Sequence, residues 1–227
     1  MNNEKKRLIS SLILPTVLII IIWLIKLGEF IMHTNFGFLG IYPLKIEGLA
    51  GILFSPLIHS DLNHLYANTI PLFLLSTALF YFYKEIGFKI LMLIYFTTNF
   101  WVWIVAREAW HIGASGLIYG LFSFIFISGI IRKNNRLMAL SMFIIFLYGG
   151  LIWGIFPNNI QREISWESHL MGLISGIVYA VYYKNEGPQK TVYQWEEDDN
   201  EDDDDKFYLN YSEEENLNDS DKNTENK

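Results

Sequence analysis

The chain contains no cysteine among its 227 residues, and it has no internal repeat and no glycine-rich nucleotide-binding loop. Without cysteine it forms no disulfide, uses no thiolate nucleophile and binds no metal through cysteine. Acidic residues are also nearly absent from the interiors of its long apolar segments. A small transporter would place carboxylates or broken helices near the bilayer midplane, so this scarcity disfavours the transporter class.

Apolar residues make up 52% of the sequence. About 20 helical residues cross the roughly 30 Å hydrocarbon core of a bilayer. Six apolar runs come near this length, at residues 8–27, 62–83, 89–106, 115–131, 137–156 and 168–184. Open sheets leave unpaired backbone groups in lipid, so the runs predict an all-α membrane protein with a six-transmembrane-helix bundle in residues 1–184. The first run is too long for a secretory signal and no cleavage site follows it, which predicts a retained helix.

Basic residues are concentrated on one predicted side of this bundle. With the N-terminus inside, the cytoplasmic segments carry Lys5, Lys6, Arg7, Lys84, Lys89, Arg132, Lys133, Arg136 and Lys184. The outer loops carry only Lys45, Arg107 and Arg162. This bias predicts that both termini are cytoplasmic and that the second, fourth and sixth helices begin at the outer face. We expect an integral protein of a bacterial plasma membrane.

The chain has a net charge of -7, and the excess of acidic residues lies in its C-terminal part. Residues 196–227 hold 15 acidic residues against 3 lysines, whereas residues 1–195 hold 14 basic against 9 acidic residues. A block of like charges with few apolar residues cannot bury enough surface to offset the entropy of ordering. We therefore expect residues 185–227 to form a disordered cytoplasmic tail, and recruitment of a basic partner is the less favoured alternative.

Polar side chains stand at the start of the three even-numbered helices. Ser115 opens the fourth, in Gly113-Ala114-Ser115-Gly116, and His169 lies in the first turn of the sixth. His64 and Asn68 are four residues apart on one face near the start of the second helix, which Ser60 or Asp61 can cap. Polar groups at membrane depth are costly and usually face the bundle interior, where they serve function.

These residue types suit peptide hydrolysis. A serine hydroxyl becomes a nucleophile when a neutral histidine takes its proton, which suggests Ser115 with His169. The oxyanion that forms on the attacked carbonyl needs donors, which His64, Asn68 and the backbone N–H of Ser115 can supply. Glu167 lies about 200° round the helix from His169, so it cannot orient that ring, and a dyad fits better than a triad.

Glycines beside both candidates predict that the fourth and sixth helices pack closely. Gly116 and Gly120 are four residues apart after Ser115, and Gly172 and Gly176 are four apart after His169. Small residues at this spacing let membrane helices approach to near-backbone contact. Tyr119 shares a face with Ser115 and can stack on His169.

Three of these motifs together resemble the signature of the rhomboid intramembrane serine proteases: Gly113-x-Ser115-Gly116 with Tyr119, His59-x4-His64-x3-Asn68, and His169-x-x-Gly172-x-x-x-Gly176. The resemblance covers the six-helix core. It implies a Ser115–His169 dyad, an oxyanion site of His64, Asn68 and the Ser115 amide, and a supporting role for His59. It also implies cleavage of single-span membrane proteins near the outer membrane boundary. A Trp-Arg pair that many members carry in the first outer loop is absent from residues 28–56.

The expected partners are transmembrane protein substrates and the lipid bilayer, without nucleic acid, metal or other cofactor. A rhomboid-like protein that binds membrane clients without cutting them is the alternative, although such proteins typically lack the serine or the histidine. The remaining histidines, His33 and His111, are expected to be surface residues of the outer loops. Arg107 and Glu108 are expected to pair with each other.

Overall fold

The structure, a computed structural model, describes residues 3–147 and 165–188, and this part of the chain is mainly helical. Its α-helices are α1 Asn3–Met32, α2 Gly51–Phe54, α3 Leu62–Phe82, α4 Gly87–Val105, α5 Ser115–Ile131, α6 Asn135–Leu147 and α7 Trp166–Tyr182. Short 3₁₀ helices at Phe36–Leu39, Ile46–Gly48 and Ser55–Leu57 lie between α1 and α3. Within the described residues, β-pairing is limited to one antiparallel bridge between Ile41 and His111. The predicted all-α class is confirmed for this part of the chain.

Five of the six predicted apolar runs each correspond to one long helix, and four of these agree closely in their bounds. α5 has the predicted bounds, and α3, α4 and α7 begin or end within two residues of theirs. α1 extends five residues further at each end than predicted. α6 covers the first part of the predicted fifth run, and the rest of that run lies outside the described residues, as do residues 189–227 of the predicted tail.

Three of the described helices, α1, α3 and α4, are long and apolar enough to cross a membrane. α5 is apolar but has only 17 residues, or about 25 Å at 1.5 Å per residue. Along α1, apolar side chains such as Ile13 and Leu24 are exposed, which suits a surface that faces lipid. The count of six spans remains a prediction.

The starts of α3 and α7 are capped by side chains that the sequence places just before them. The Asp61 carboxylate accepts a hydrogen bond of 2.9 Å from the backbone N–H of His64 at the start of α3. Ser165 accepts from the backbone N–H of Ser168 at the start of α7. Such caps satisfy backbone donors that have no partner inside the helix, and here they fix where His64 and His169 fall in their first turns.

α5 is the central helix of the bundle and packs against α3, α4, α6 and α7. Its most extensive partner is α7. Side chains of α5 such as Leu121, Phe124 and Ile125 are fully buried, with Leu75 of α3 and Ile94 of α4 in the same core. A helix that is apolar on every side is expected at the centre of a bundle.

Glycine allows α5 and α7 to approach to backbone contact. A Cβ added at Gly172 would overlap the Gly116 carbonyl oxygen, and one added at Gly176 would overlap the Gly120 carbonyl oxygen. A Cβ at Gly116 would come within 3.0 Å of the Ser168 carbonyl oxygen. The close contact that the two glycine pairs predict is therefore present, and it places the first turns of α5 and α7 side by side.

Gly172→Ala is expected to force these helices apart and to lower the free energy of unfolding by about 1–3 kcal/mol, since a methyl group has no room beside Gly116. Gly28→Ala is the matched control, because a Cβ at Gly28 meets nothing within 4 Å. The measurement is the unfolding midpoint of each variant in detergent micelles. Equal midpoints for the two variants would contradict the proposed packing role.

Candidate active site

Ser115 and His169 lie in contact at the same end of the bundle. His169 Nε2 is 2.8 Å from Ser115 Oγ, a distance suited to a hydrogen bond. Ser115 is the first residue of α5 and half-buried, and His169 is buried in the first turn of α7. Tyr119, one turn after Ser115, stacks on the imidazole with ring centroids 4.3 Å apart and planes 15° apart. The stacking fixes the plane of the ring that faces the hydroxyl.

His64 and Asn68 reach the chain segment that leads into Ser115. Gly113 has φ of +107°, a backbone conformation that favours glycine. A Cβ at Gly113 would lie 2.7 Å from His64 Nε2 and 3.7 Å from Asn68 Nδ2. The missing side chain therefore leaves room for both polar groups beside the backbone that precedes Ser115.

The amide of Asn68 has an unused donor. Asn68 is 6% exposed, and its buried Nδ2 atom has no hydrogen-bond partner among the described residues. A buried donor without a partner costs roughly 1–3 kcal/mol. This cost makes the Asn68 amide a donor available to an oxygen atom that enters the site.

The Ser60 hydroxyl links His64 to Asp61. Ser60 Oγ lies 2.6 Å from Asp61 Oδ2 and 3.2 Å from His64 Nδ1. The hydrogen bond from Ser60 lowers the pKa of Asp61, which keeps that carboxylate an acceptor. The hydroxyl has one proton to give. Because Ser60 gives this proton to Asp61, its oxygen accepts from His64 Nδ1–H, and in a neutral ring this leaves Nε2, the atom that faces Gly113, without a hydrogen. His64 Nε2 becomes a donor when the ring is protonated or when the Ser60 hydroxyl turns its proton to His64 Nδ1.

His59 lies in the loop before α3 and supports the site from behind. The ring is 2% exposed, and its Nε2 atom accepts a hydrogen bond of 3.5 Å from the backbone N–H of Ala114. It also meets the His64 ring edge-on at 5.0 Å between centroids. Burial lowers the pKa of His59 to about 3, and the neighbouring His64 adds to this effect. A neutral ring is what the acceptor role at Nε2 requires.

Lys26 of α1 holds the other side of the same loop, a contact that the sequence analysis did not anticipate. Its ammonium donates to the carbonyl oxygens of His59 and Ser60 at 2.9 and 3.0 Å, and to Glu29 at 2.8 Å. Glu29 in turn accepts from the backbone N–H of Phe36 at 2.7 Å. A partly buried ion pair therefore ties α1 to the loop that carries His59.

The prediction that His111 is a surface residue is wrong. Its side chain is 2% exposed, and its ring nitrogens lie 2.6 Å from Ser165 Oγ and 3.0 Å from the Arg107 carbonyl oxygen. The expected pairing of Arg107 with Glu108 is replaced by an ion pair between Arg107 and Glu167, at 2.9 and 3.0 Å. His33 is exposed, as predicted.

The site does not assemble a metal-ligand cluster within residues 3–147 and 165–188. No group of three or more histidine and carboxylate side chains there is close enough to hold a metal ion. The contacts described above are instead those of a hydroxyl, an imidazole and neighbouring hydrogen-bond donors.

Comparison with known proteins assigns the chain to a family. The Rhomboid domain family matches residues 47–186, which include both Ser115 and His169. An uncharacterized protein of Mycobacterium tuberculosis, Rv1337, is 31% identical over 173 residues, which cover 70% of each chain. ML1171 of Mycobacterium leprae, also uncharacterized, is 30% identical over 190 residues, which cover 75% of this chain and 70% of the relative. A protein of Acanthamoeba polyphaga mimivirus that carries the rhomboid name is 28% identical over 140 residues, 55% of this chain and 70% of its own.

The chain belongs to the rhomboid family. Its Rhomboid domain and apolar helices are those of an integral membrane protein. Rhomboids are in general intramembrane serine proteases, although some rhomboid-like proteins are inactive.

The buried His59 generates a pH prediction. Its pKa is about 3 in the folded protein and 6.5 as a reference for the unfolded chain. Between these values the unfolded chain binds more protons, so folding stability is lost as the pH falls from 6.5 towards 3. Between about pH 7 and about pH 4.5, the thermal unfolding midpoint of His59→Gln is expected to fall less than that of the wild-type protein. Exposed His33→Gln is the control, and a His59→Gln profile parallel to wild type would contradict the prediction.

Proposed function

We propose that the protein is an intramembrane serine endopeptidase in which Ser115 is the nucleophile and His169 the general base. The observation that supports this most directly is the 2.8 Å contact between His169 Nε2 and Ser115 Oγ. A nucleophile and a base within hydrogen-bonding reach are the minimum for serine-type covalent catalysis. Retention of both residues in a rhomboid domain favours an active protease over a client-binding member.

The reaction proceeds in two proton-balanced stages. Ser115 Oγ attacks the carbonyl carbon of the scissile peptide while His169 Nε2 takes the hydroxyl proton. The tetrahedral adduct collapses, the C–N bond breaks, and His169 gives this proton to the departing amine. His169 then removes a proton from water, the resulting hydroxide adds to the acyl ester, and the proton returns to Ser115 Oγ as the acid leaves.

Three donors serve the negatively charged oxygen of the tetrahedral adduct: the Asn68 amide, the backbone N–H of Ser115 and His64 Nε2. His64 Nε2 donates when its ring is protonated or when the Ser60 hydroxyl turns its proton to His64 Nδ1. The open side of Gly113 brings the two side-chain donors beside the segment that ends in Ser115. The N-terminal end of α5 adds a positive partial charge at the same place. Donors aimed in advance at the developing charge stabilise the transition state without reorganisation.

Stacking replaces the orienting carboxylate of a triad. Tyr119 lies face to face with the His169 ring and holds it in plane. Glu167, the nearest carboxylate in sequence, is held in the ion pair with Arg107. His169 therefore works as a general base in a dyad, and Tyr119 holds the plane of its ring.

The position of Ser115 favours a membrane-embedded substrate. α5 is about 25 Å long, against a hydrocarbon core of roughly 30 Å, so its first residue lies a few ångströms below the outer interface. The substrate class that fits is a single-span membrane protein cleaved near its outer end. Polar side chains around Ser115 would admit the water that hydrolyses the acyl ester.

Ser115→Ala and His169→Ala are each expected to reduce cleavage of a reporter single-span protein by about 10⁴-fold or more, because each removes one half of the dyad. Cleavage is measured in membranes or proteoliposomes with matched amounts of each variant. The controls are Ser10→Ala, at an exposed serine of α1, and His33→Asn, at an exposed histidine. Equal cleavage by wild type and both dyad variants would show that cleavage does not depend on Ser115 and His169 and would contradict the proposal.

Asn68→Ala is expected to lower kcat by about 10- to 1,000-fold with little change in KM, since the oxyanion exists only after attack. His64→Ala is expected to lower kcat by a factor in the same range. Asn63→Ala is the matched control, because Asn63 is exposed and lies on the same helix. A kcat for Asn68→Ala equal to that of Asn63→Ala would remove Asn68 from the oxyanion site.

A further inference from the structure

The first turn of α7 is attached to the segment before α5 by a set of polar contacts that the dyad chemistry does not use. This set, here called the clasp, consists of Arg107, His111, Ser165, Glu167 and Ser168. His111 lies four residues before Ser115, and Ser168 directly precedes His169. The clasp therefore joins the two chain segments from which the dyad projects.

The hydrogen bonds of the clasp have one consistent proton direction. His111 Nε2 lies 3.0 Å from the Arg107 carbonyl oxygen, which can only accept, so Nε2 carries the hydrogen. Burial lowers the pKa of His111, so the ring is neutral and Nδ1 accepts from the Ser165 hydroxyl at 2.6 Å. The Ser168 hydroxyl then donates to Ser165 Oγ at 2.7 Å.

Two further contacts fix the ends of this chain of hydrogen bonds. The backbone of His111 exchanges both hydrogen bonds with Ile41, at 2.8 and 2.9 Å, which fixes it against the first loop. Arg107 Nη1 donates to both carboxylate oxygens of Glu167. Glu167 is 6% exposed. Loss of Arg107 would leave its buried carboxylate unpaired, which would strongly destabilise the folded protein.

We propose that His111 is a positioning residue that sets the register of His169 against Ser115 by holding the Ser165 cap of α7. The inference rests on the proposed function for its catalytic consequence. The glycine contacts set the distance between α5 and α7, but they leave sliding and rotation of the first turn of α7 to be fixed by other groups. His111, Ser165 and Ser168 supply directional bonds at that turn.

The catalytic arm of the test measures kcat and KM separately for cleavage of a reporter single-span substrate. His111→Ala and Ser165→Ala are each expected to lower kcat by about 10- to 100-fold, because small misplacement of reacting groups has costs of this size. KM is expected to stay near the wild-type value, since the clasp residues are proposed to act through the position of His169 and not through substrate binding. Ser165→Thr keeps a hydroxyl at the cap and is expected to retain most of the rate.

The matched control for His111 is His33→Asn, at a histidine that is exposed and has φ of 49°, a conformation that asparagine tolerates. A wild-type kcat in His111→Ala, or equal losses in Ser165→Thr and Ser165→Ala, would overturn the proposal. If His111→Ala does not fold, Ser165→Ala carries the test, because it removes one hydroxyl and leaves the ring in place.

The spectroscopic arm does not depend on proteolysis. Nitrogen-15 NMR of histidine-labelled protein in micelles, with the five histidines assigned by single substitutions, reports the tautomer of each ring. His111 is expected as the Nε2–H tautomer, with an Nδ1 shift that moves in Ser165→Ala and stays in Ser165→Thr. An Nδ1–H tautomer, or a shift unaffected by Ser165→Ala, would overturn the clasp. Continued cleavage by Ser115→Ala, with the NMR result as expected, would instead identify the proposed function as the part that fails.

Discussion

The approach of α5 to α7 at backbone distance is the constraint on which the site depends. A serine hydroxyl and an imidazole on neighbouring helices meet only when the axes lie closer than ordinary side chains allow. Gly116 and Gly172 remove the side chains that would stand between the two first turns. In lipid, where apolar side chains gain little by leaving the solvent, packing and interhelical hydrogen bonds carry helix association. The same contact thus stabilises the bundle and aligns Ser115 with His169.

Around this contact, polar groups are buried at one end of an apolar bundle, and most of them are paired. His59 accepts from Ala114, Lys26 fixes the loop that carries His59, and His111 holds the cap of α7. Each bond offsets the cost of burying its own groups, and together they restrict how the first turns of α3, α5 and α7 move. Asn68 Nδ2 differs, because it has no partner among the described residues. His59 Nδ1 is also unpaired among the described residues, but Asn68 Nδ2 lies beside Gly113. An unpaired donor at that position is suited to a charge that exists only during reaction.

Sequence patterns predicted the long helices well, because length and apolar character decide which segments form them. They also predicted which residues approach Ser115, since helix direction and glycine spacing restrict the packing of α5 against α7. They failed for His111, whose loop position indicated a surface residue, because burial of a loop depends on contacts distant in sequence. The pairing of Arg107 with Glu167 was missed for the same reason, as the partners are 60 residues apart. The sequence did not indicate that Lys26 belongs to the site, because Lys26 acts by donating hydrogen bonds to the backbone carbonyl oxygens of His59 and Ser60. A sequence pattern does not show which side chain a carbonyl oxygen contacts.

The central claim is that Ser115 is a nucleophile activated by His169 within the membrane domain. Its most direct test is treatment of native membranes with a fluorophosphonate, which phosphonylates activated serines with loss of fluoride, followed by mass mapping of the labelled peptides of this chain. The account predicts a single adduct, at Ser115, in wild-type protein and none in His169→Ala. Labelling at another serine, or equal labelling of Ser115 with and without His169, would contradict the account.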